Sequence, residues 1–192
     1  VKIGMLLSSV VIEPVARTLR VFDVTTIVLD PVMVAKSGDK LLQDEAVAAL
    51  REYLLPMASV ITPNLPEASV LLGRPVDTFD DMRQAAADLA QLCPGAILVK
   101  GGHLHTPEST DLLYLSPTEQ HLFSSVRFLT KNSHGTGCTL SSAIAAGLAK
   151  GLSTVEAVSN AKDYLTHAIQ AGSVYKLGHG HGPVHHFFNT WQ

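Results

Sequence analysis

Ala96-Ile97-Leu98-Val99-Lys100-Gly101-Gly102 is the stretch whose reading settles the fold class. Four apolar residues stand side by side with no polar alternation, so a strand here has both faces covered, the habit of parallel sheets between helical layers. Thr26–Leu29 repeats the pattern, a β-branched apolar run that stops at Asp30-Pro31. Working outward, Val1–Leu7 and Ser59–Thr62 read as two more strands. Apolar residues at helical spacing lie between them. Ile12–Phe22 carries Pro14 near its first turn, and Gln43–Leu54 puts Ala46, Val47, Leu50 and Leu54 on one face. Leu65–Leu72 is stopped by Gly73, and Asp80–Leu92 is capped by Asp80 and closed before Pro94-Gly95. Val32–Lys40 reads as a loop turning at Gly38-Asp39. After Gly102 the pattern changes. Asp111–Leu115 and Gln120–Ser124 alternate as a hairpin about Ser116–Glu119, and Val126–Leu129 follows as a further strand. Cys138–Lys150 and Thr154–Ala171 are helices parted by Gly151. The expectation is an α/β domain spanning residues 1–192, with a mostly parallel central sheet and helices on both faces.

Composition narrows the function classes. The 192 residues are 46% hydrophobic, carry a net charge of -3 and contain no basic run, which disfavours nucleic acid and membrane surfaces as partners. The apolar stretches are far shorter than the ~20 residues of a membrane helix. Two cysteines, Cys93 and Cys138, are too few for a disulfide scaffold and suit a reducing, cytoplasmic setting. The chain opens on Val1 and reads as a buried strand from Lys2, so the domain is expected to be N-terminally truncated.

In doubly wound sheets, ligands sit beyond the carboxyl ends of the strands. Four polar clusters fall just after strands or at helix starts: Asp30, Asn64–Glu67, Lys100–His103 and His134–Cys138. They form a plausible single site. His134-Gly135-Thr136-Gly137-Cys138 opens a small-residue helix, whose N–H groups and dipole suit a phosphate. Cys138 in the first turn could act as a base on a substrate hydroxyl. The alternative is a Gly-rich helix start with Thr136 as N-cap and Cys138 as packing. Asn64 and Glu67, three apart, fit a capping box and equally a pair of oxygen ligands for Mg²⁺. Asp30 could orient a metal or merely begin a turn. Lys100 could neutralise nucleotide phosphates or simply snorkel. His179, His181, His185 and His186 in the tail suggest a metal only weakly, since no cysteine or carboxylate accompanies them at ligand spacing.

In order, Lys2-Ile3-Gly4-Met5-Leu6, Asp30-Pro31-Val32-Met33, Thr62-Pro63-Asn64-Leu65-Pro66-Glu67-Ala68, Val99-Lys100-Gly101-Gly102-His103, His134-Gly135-Thr136-Gly137-Cys138-Thr139-Leu140 and the tail Gly178–His186 resemble the hydroxymethylpyrimidine/phosphomethylpyrimidine kinases. These are ATP-dependent enzymes of thiamin biosynthesis with the ribokinase fold. The resemblance covers essentially the whole chain. Cys138 is its most discriminating residue, since most ribokinase-fold kinases carry Asp there. The resemblance implies that Gly135, Thr136 and Gly137 form an anion hole and that Cys138 is the base. It implies that Lys100, Asp30, Asn64 and Glu67 serve the phosphates and Mg²⁺, that Met5 and Val32 line the pyrimidine, and that Lys162 lies near the nucleotide. It also implies a homodimer. Family members carry a Gly-rich turn, an Asp and a Gln ahead of the Lys2–Leu6 strand, and these are not in this sequence. The alternatives are a pyridoxal kinase of the same fold and a catalytically dead nucleotide-binding fragment. Pyridoxal kinases of this kind can carry a second cysteine in the stretch matching Gly102–Thr110, and this chain has none there.

Overall fold

The computed structural model describes residues 1–33 and 41–191, so most of the expected loop at Val32–Lys40 lies outside the described residues. Strands β1 (Lys2–Ile3), β2 (Val28–Leu29), β3 (Val60–Ile61) and β4 (Ala96–Val99) pair in that order, all parallel. β5 (Glu108–Ser116) adds antiparallel to β4, and β6 (Glu119–Val126) closes the sheet as the hairpin partner of β5. The helices are α1 (Ser9–Val21), α2 (Asp44–Ala49), α3 (Leu65–Leu72), α4 (Phe79–Leu89), α5 (Thr136–Ala149) and α6 (Thr154–Gly172).

Successive strand residues point to opposite faces, and here each face meets its own helical layer. Ile3, Leu29, Ile61, Ile97, Val99 and Leu112 pack with residues of α1 to α4, among them Ile12, Leu65, Leu71, Met82 and Leu89. Val28, Val60, Ala96, Leu98 and Leu113 pack with Leu140 and Ile144 of α5 and Val158, Ala161 and Leu165 of α6. The unbroken apolar runs of β2 and β4 have this physical cause.

Several local expectations are corrected. The strands at Val1–Leu7, Thr26–Leu29 and Ser59–Thr62 shrink to Lys2–Ile3, Val28–Leu29 and Val60–Ile61, the residues in ladder register with one another. Pro14 lies inside α1 rather than at its first turn. The cap of α4 is Thr78, not Asp80. Thr78 Oγ1 accepts the Asp81 N–H at 3.1 Å, and Asp81 accepts the Thr78 N–H at 3.0 Å. The helix expected over Gln43–Leu54 is α-helical only to Ala49, then widens into a π turn at Leu50–Leu54 and tightens to a 3₁₀ turn at Leu55–Met57. Pro56 has no N–H with which to continue an α ladder. There is no strand at Val126–Leu129 beyond the end of β6, and Leu129 is fully exposed.

Candidate active site

The four parallel strands end on one edge, and the residues just past them build the site. Asp30 follows β2 and is 1% exposed. Its N–H donates to Ile3 O at 2.9 Å, continuing the β1–β2 ladder one step. Asn64 and Lys100, just beyond β3 and β4, form an isolated parallel bridge, and the Lys100 N–H donates to Pro63 O at 2.8 Å. The backbone therefore delivers Asp30, Asn64 and Lys100 as neighbours, although they are far apart in sequence.

Their side chains meet. Lys100 Nζ donates to Asp30 Oδ1 at 2.8 Å and lies 3.8 Å from Glu67 Oε2. Thr62 Oγ1 donates to Asp30 Oδ1 at 3.1 Å. Asn64 caps α3: its Oδ1 accepts the Glu67 N–H at 2.8 Å, while Glu67 Oε2 accepts the Asn64 N–H at 2.7 Å. The capping box is thus real, and it also aims the Glu67 carboxylate at Lys100. Burial pushes the Glu67 carboxyl above its ordinary range; the Lys100 charge and the N–H groups of Asn64 and Met33 offset only part of this. For Lys100, burial alone would lower the ammonium pKa, but the charges of Asp30 and Glu67 outweigh it and hold the group above its ordinary value.

The start of α5 comes down on this cluster. Gly135 sits at φ 82°, the left-handed region that favours glycine, and is the N-cap; Thr136 is the first helical residue and not the cap. The Thr136 hydroxyl donates back to Ser133 O at 3.2 Å. The first N–H to reach a helix carbonyl is that of Thr139, to Gly135 O at 2.8 Å, which leaves the preceding N–H groups facing out of the helix end. A methyl on Gly137 would lie 3.4 Å from Lys100 Nζ and 3.6 Å from Asp30 Oδ2, so the loop rests on the ion cluster. Ser141 Oγ lies 3.3 Å from Asp30 Oδ2 and 3.0 Å from Gly137 O, tying the two together. Cys138 is exposed. Beside it a cavity of about 640 Å³ runs along α5 and α6, past Ser142, Ala146 and Tyr164.

The remaining residues singled out in the sequence fall as follows. Met5 and Val32 lie past the ends of β1 and β2, on the same sheet edge; Met5 is half exposed. Lys162 is buried on α6, donating to Asp111 Oδ2 at 2.7 Å and to Ser109 O at 3.0 Å. His186 Nε2 lies 2.9 Å from Thr139 Oγ1, and His185 packs against Tyr175 and Trp191. Among the described residues no group of three His, Cys, Asp or Glu is arranged to hold a metal ion, and no helix is long and apolar enough to cross a membrane. Sequence reading gave no role to Ser141 and Asp111, nor to Thr62 and Thr139, which stand only as members of the quoted motifs. Ser141, one turn beyond Gly137, has a local signal, and Asp111 has none.

A family model described as phosphomethylpyrimidine kinase matches residues 1–185. The hydroxymethylpyrimidine/phosphomethylpyrimidine kinase of Rhizobium meliloti (strain 1021) is 52% identical over 194 residues, covering 100% of this chain and 72% of that protein. Among solved structures, an ADP complex of Bacillus subtilis pyridoxal kinase superposes with a TM-score of 0.89 at 39% identity, covering 97% of this chain and 69% of the other. The phosphomethylpyrimidine kinase of Clostridium difficile 630 gives a TM-score of 0.76 at 40% identity, over 88% of this chain and 68% of the other.

Proposed function

Because the chain belongs to the phosphomethylpyrimidine kinase family, we infer that it is an ATP-dependent kinase that phosphorylates hydroxymethylpyrimidine and then the resulting monophosphate, in thiamin biosynthesis. The observation that carries the reading is the descent of the Gly135–Cys138 helix start onto the Lys100–Asp30 pair. A helix start with free N–H groups, a fixed cation and a thiol at one sheet edge support a reading as phosphoryl transfer, which asks for anion stabilisation, cations and a positioned base.

In this reading the Cys138 thiolate takes the proton from the hydroxymethyl group. The freed oxygen attacks the γ-phosphorus, the bond from that phosphorus to the bridging oxygen breaks, and ADP leaves. In the second step an oxygen of the monophosphate is the attacking atom. The N–H groups of Gly135, Thr136 and Gly137 receive the charge that builds on the transferred phosphoryl group. Lys100 neutralises nucleotide phosphates, and Met5 and Val32 border the pyrimidine. Lys162 lies at the nucleotide side, one residue from the cavity-lining Ala161.

A divalent cation fits the acidic cluster. Two buried carboxylates, Asp30 and Glu67, share one ammonium, so the trio is net negative when Glu67 is ionised; burial first, and the Asp30 charge to a lesser degree, raise the Glu67 pKa. Hard oxygen donors of this number suit Mg²⁺, which keeps waters and shares phosphate oxygens. Asp30 and Glu67 would hold it, with Asn64 fixing Glu67, and it would supply charge neutralisation of the phosphates. A cytoplasmic homodimer completes the reading, with residues 1–192 acting as a single kinase domain.

The likeness to a pyridoxal kinase favours a second substrate. Incubation with ATP and Mg²⁺ plus either hydroxymethylpyrimidine or pyridoxal, following ADP release, separates the two. Turnover of the pyrimidine is expected. ADP release with pyridoxal alone would replace the reading, and release with neither would remove it.

A further inference from the structure

The Lys100-Gly101-Gly102 segment is gripped from two sides by groups that the kinase reading does not use. Arg127 stands one residue past β6. Its Nε donates to Thr106 O at 2.7 Å and its Nη1 to Gly102 O at 2.8 Å. Its Nη2 donates to Leu104 O at 2.6 Å and to Gly101 O at 3.2 Å. Four of the five N–H donors of a guanidinium thus converge on main-chain carbonyls of a single loop, residues 101–106. From the other side, the Gly101 N–H donates to Asp111 Oδ1 at 2.9 Å, and Asp111 Oδ2 accepts from Lys162. Gly101 has no space for a side chain: a Cβ would lie 1.9 Å from Thr110 O.

The consequence concerns Lys100. Its own N–H is held by Pro63 O, the following N–H by Asp111 and the following carbonyl by Arg127. Its Cα cannot move without breaking one of these bonds. Only a 3₁₀ turn at Gly101–His103, with the Leu104 N–H donating to Gly101 O at 3.0 Å, orders this segment from within; residues 104–106 would otherwise sample many conformations, and a planar fork fixes several acceptors at once where a lysine ammonium on a flexible stem does not.

We propose that Arg127 is a positioning residue for phosphoryl transfer: by holding the 101–106 loop it sets where the Lys100 ammonium meets the nucleotide phosphates, and it does not touch them itself. This rests on the kinase reading of Lys100. It makes the fork, not the charge, the property that counts.

Two measurements on Arg127→Lys and Arg127→Met test it. The first is hydrogen exchange by mass spectrometry. Peptides covering residues 101–106 are expected to exchange at least about tenfold faster in both variants, with peptides of α1 and α6 unchanged. The second is steady-state kinetics with hydroxymethylpyrimidine. Both variants are expected to lose roughly 10²-fold in kcat, as for an ångström-scale misplacement, with a much smaller change in KM for ATP. Substantial rescue by Arg127→Lys would mean that Arg127 acts as a charge and would overturn the proposal. Unchanged exchange at 101–106, or unchanged kcat, would overturn it equally. A uniform fall in melting temperature with kcat retained would reduce Arg127 to ordinary structure. If the wild type itself turned over no pyrimidine, the kinase reading would fall, while the exchange data would still decide whether Arg127 holds the loop.

Discussion

Cys138 is the residue on which the proposed chemistry depends most sharply. It is the exposed one of the two cysteines, while Cys93 is buried. A base acts on the transition state and leaves ground-state nucleotide binding alone. Cys138→Ala is therefore expected to lower turnover by ~10²–10⁴, with ATP affinity by calorimetry nearly unchanged; near-normal turnover would make Cys138 a packing residue. Glu67 combines two roles, cap of α3 and carboxylate at the ion cluster. Glu67→Gln keeps an oxygen for the Asn64 N–H, so the Mg²⁺ concentration needed for half-maximal activity should rise while α3 stays capped. Its pH signature follows from the raised pKa. Stability contributed by Glu67 is full below the ordinary value of 4.5 and is lost as pH rises through the higher folded value. Melting temperatures measured across that window should show Glu67→Gln gaining on the wild type as pH increases. A constant difference would mean that burial does not perturb Glu67.

At the level of elements, the sheet was legible from the sequence where both its faces are covered. The runs Ala96–Val99 and Ile27–Leu29 announce two helical layers because apolar residues stand side by side and all of them are buried, and those layers exist. The site clusters were legible for a related reason. Parallel strands end on one edge, so short motifs after each strand had to converge. What could not be read was the partner of any side chain whose bond spans the chain. Lys162 meets Asp111 across 51 positions and Arg127 meets Gly101 across 26; no spacing rule reaches so far. Asp80 and Thr78 are both good N-cap types, and only the reciprocal bonds between Thr78 and Asp81 decide between them. The Lys162–Asp111 pair binds α6 to β5 with both side chains over 90% buried. Removing one partner strands a charge, so Lys162→Met is expected to cost roughly 3–5 kcal/mol in chemical denaturation. Lys162→Met with Asp111→Asn should cost clearly less than the single change. If the double variant is the less stable of the two, the pair is not the link between α6 and the hairpin.

On the scale of the whole molecule, the site exists only when the fold does. Asp30 comes from the end of β2, Asn64 and Glu67 from β3 and α3, Lys100 from β4 and the Gly135–Cys138 turn from the start of α5, which reaches the sheet from the opposite layer. An unfolded chain holds none of these together, so a nucleotide that binds here binds the native state alone. Linkage then fixes a magnitude. At a free ligand concentration of 100 Kd the native state gains about 2.7 kcal/mol, and a domain of this size shifts about 2–4 °C per kcal/mol. ATP with Mg²⁺ at that concentration is therefore expected to raise the melting temperature by roughly 5–10 °C. Two controls locate the effect. Chelating Mg²⁺ should remove most of the shift if Asp30 and Glu67 hold the cation against the phosphates. Lys100→Met should remove most of it as well if the ammonium neutralises the phosphates as proposed, since that charge is then gone and Asp30 is left without its 2.8 Å partner. That variant's own melting temperature serves as its baseline, so a lower starting stability does not imitate lost binding. A full shift retained in Lys100→Met would place the nucleotide away from the strand ends, and the convergence of the four clusters would then have another purpose.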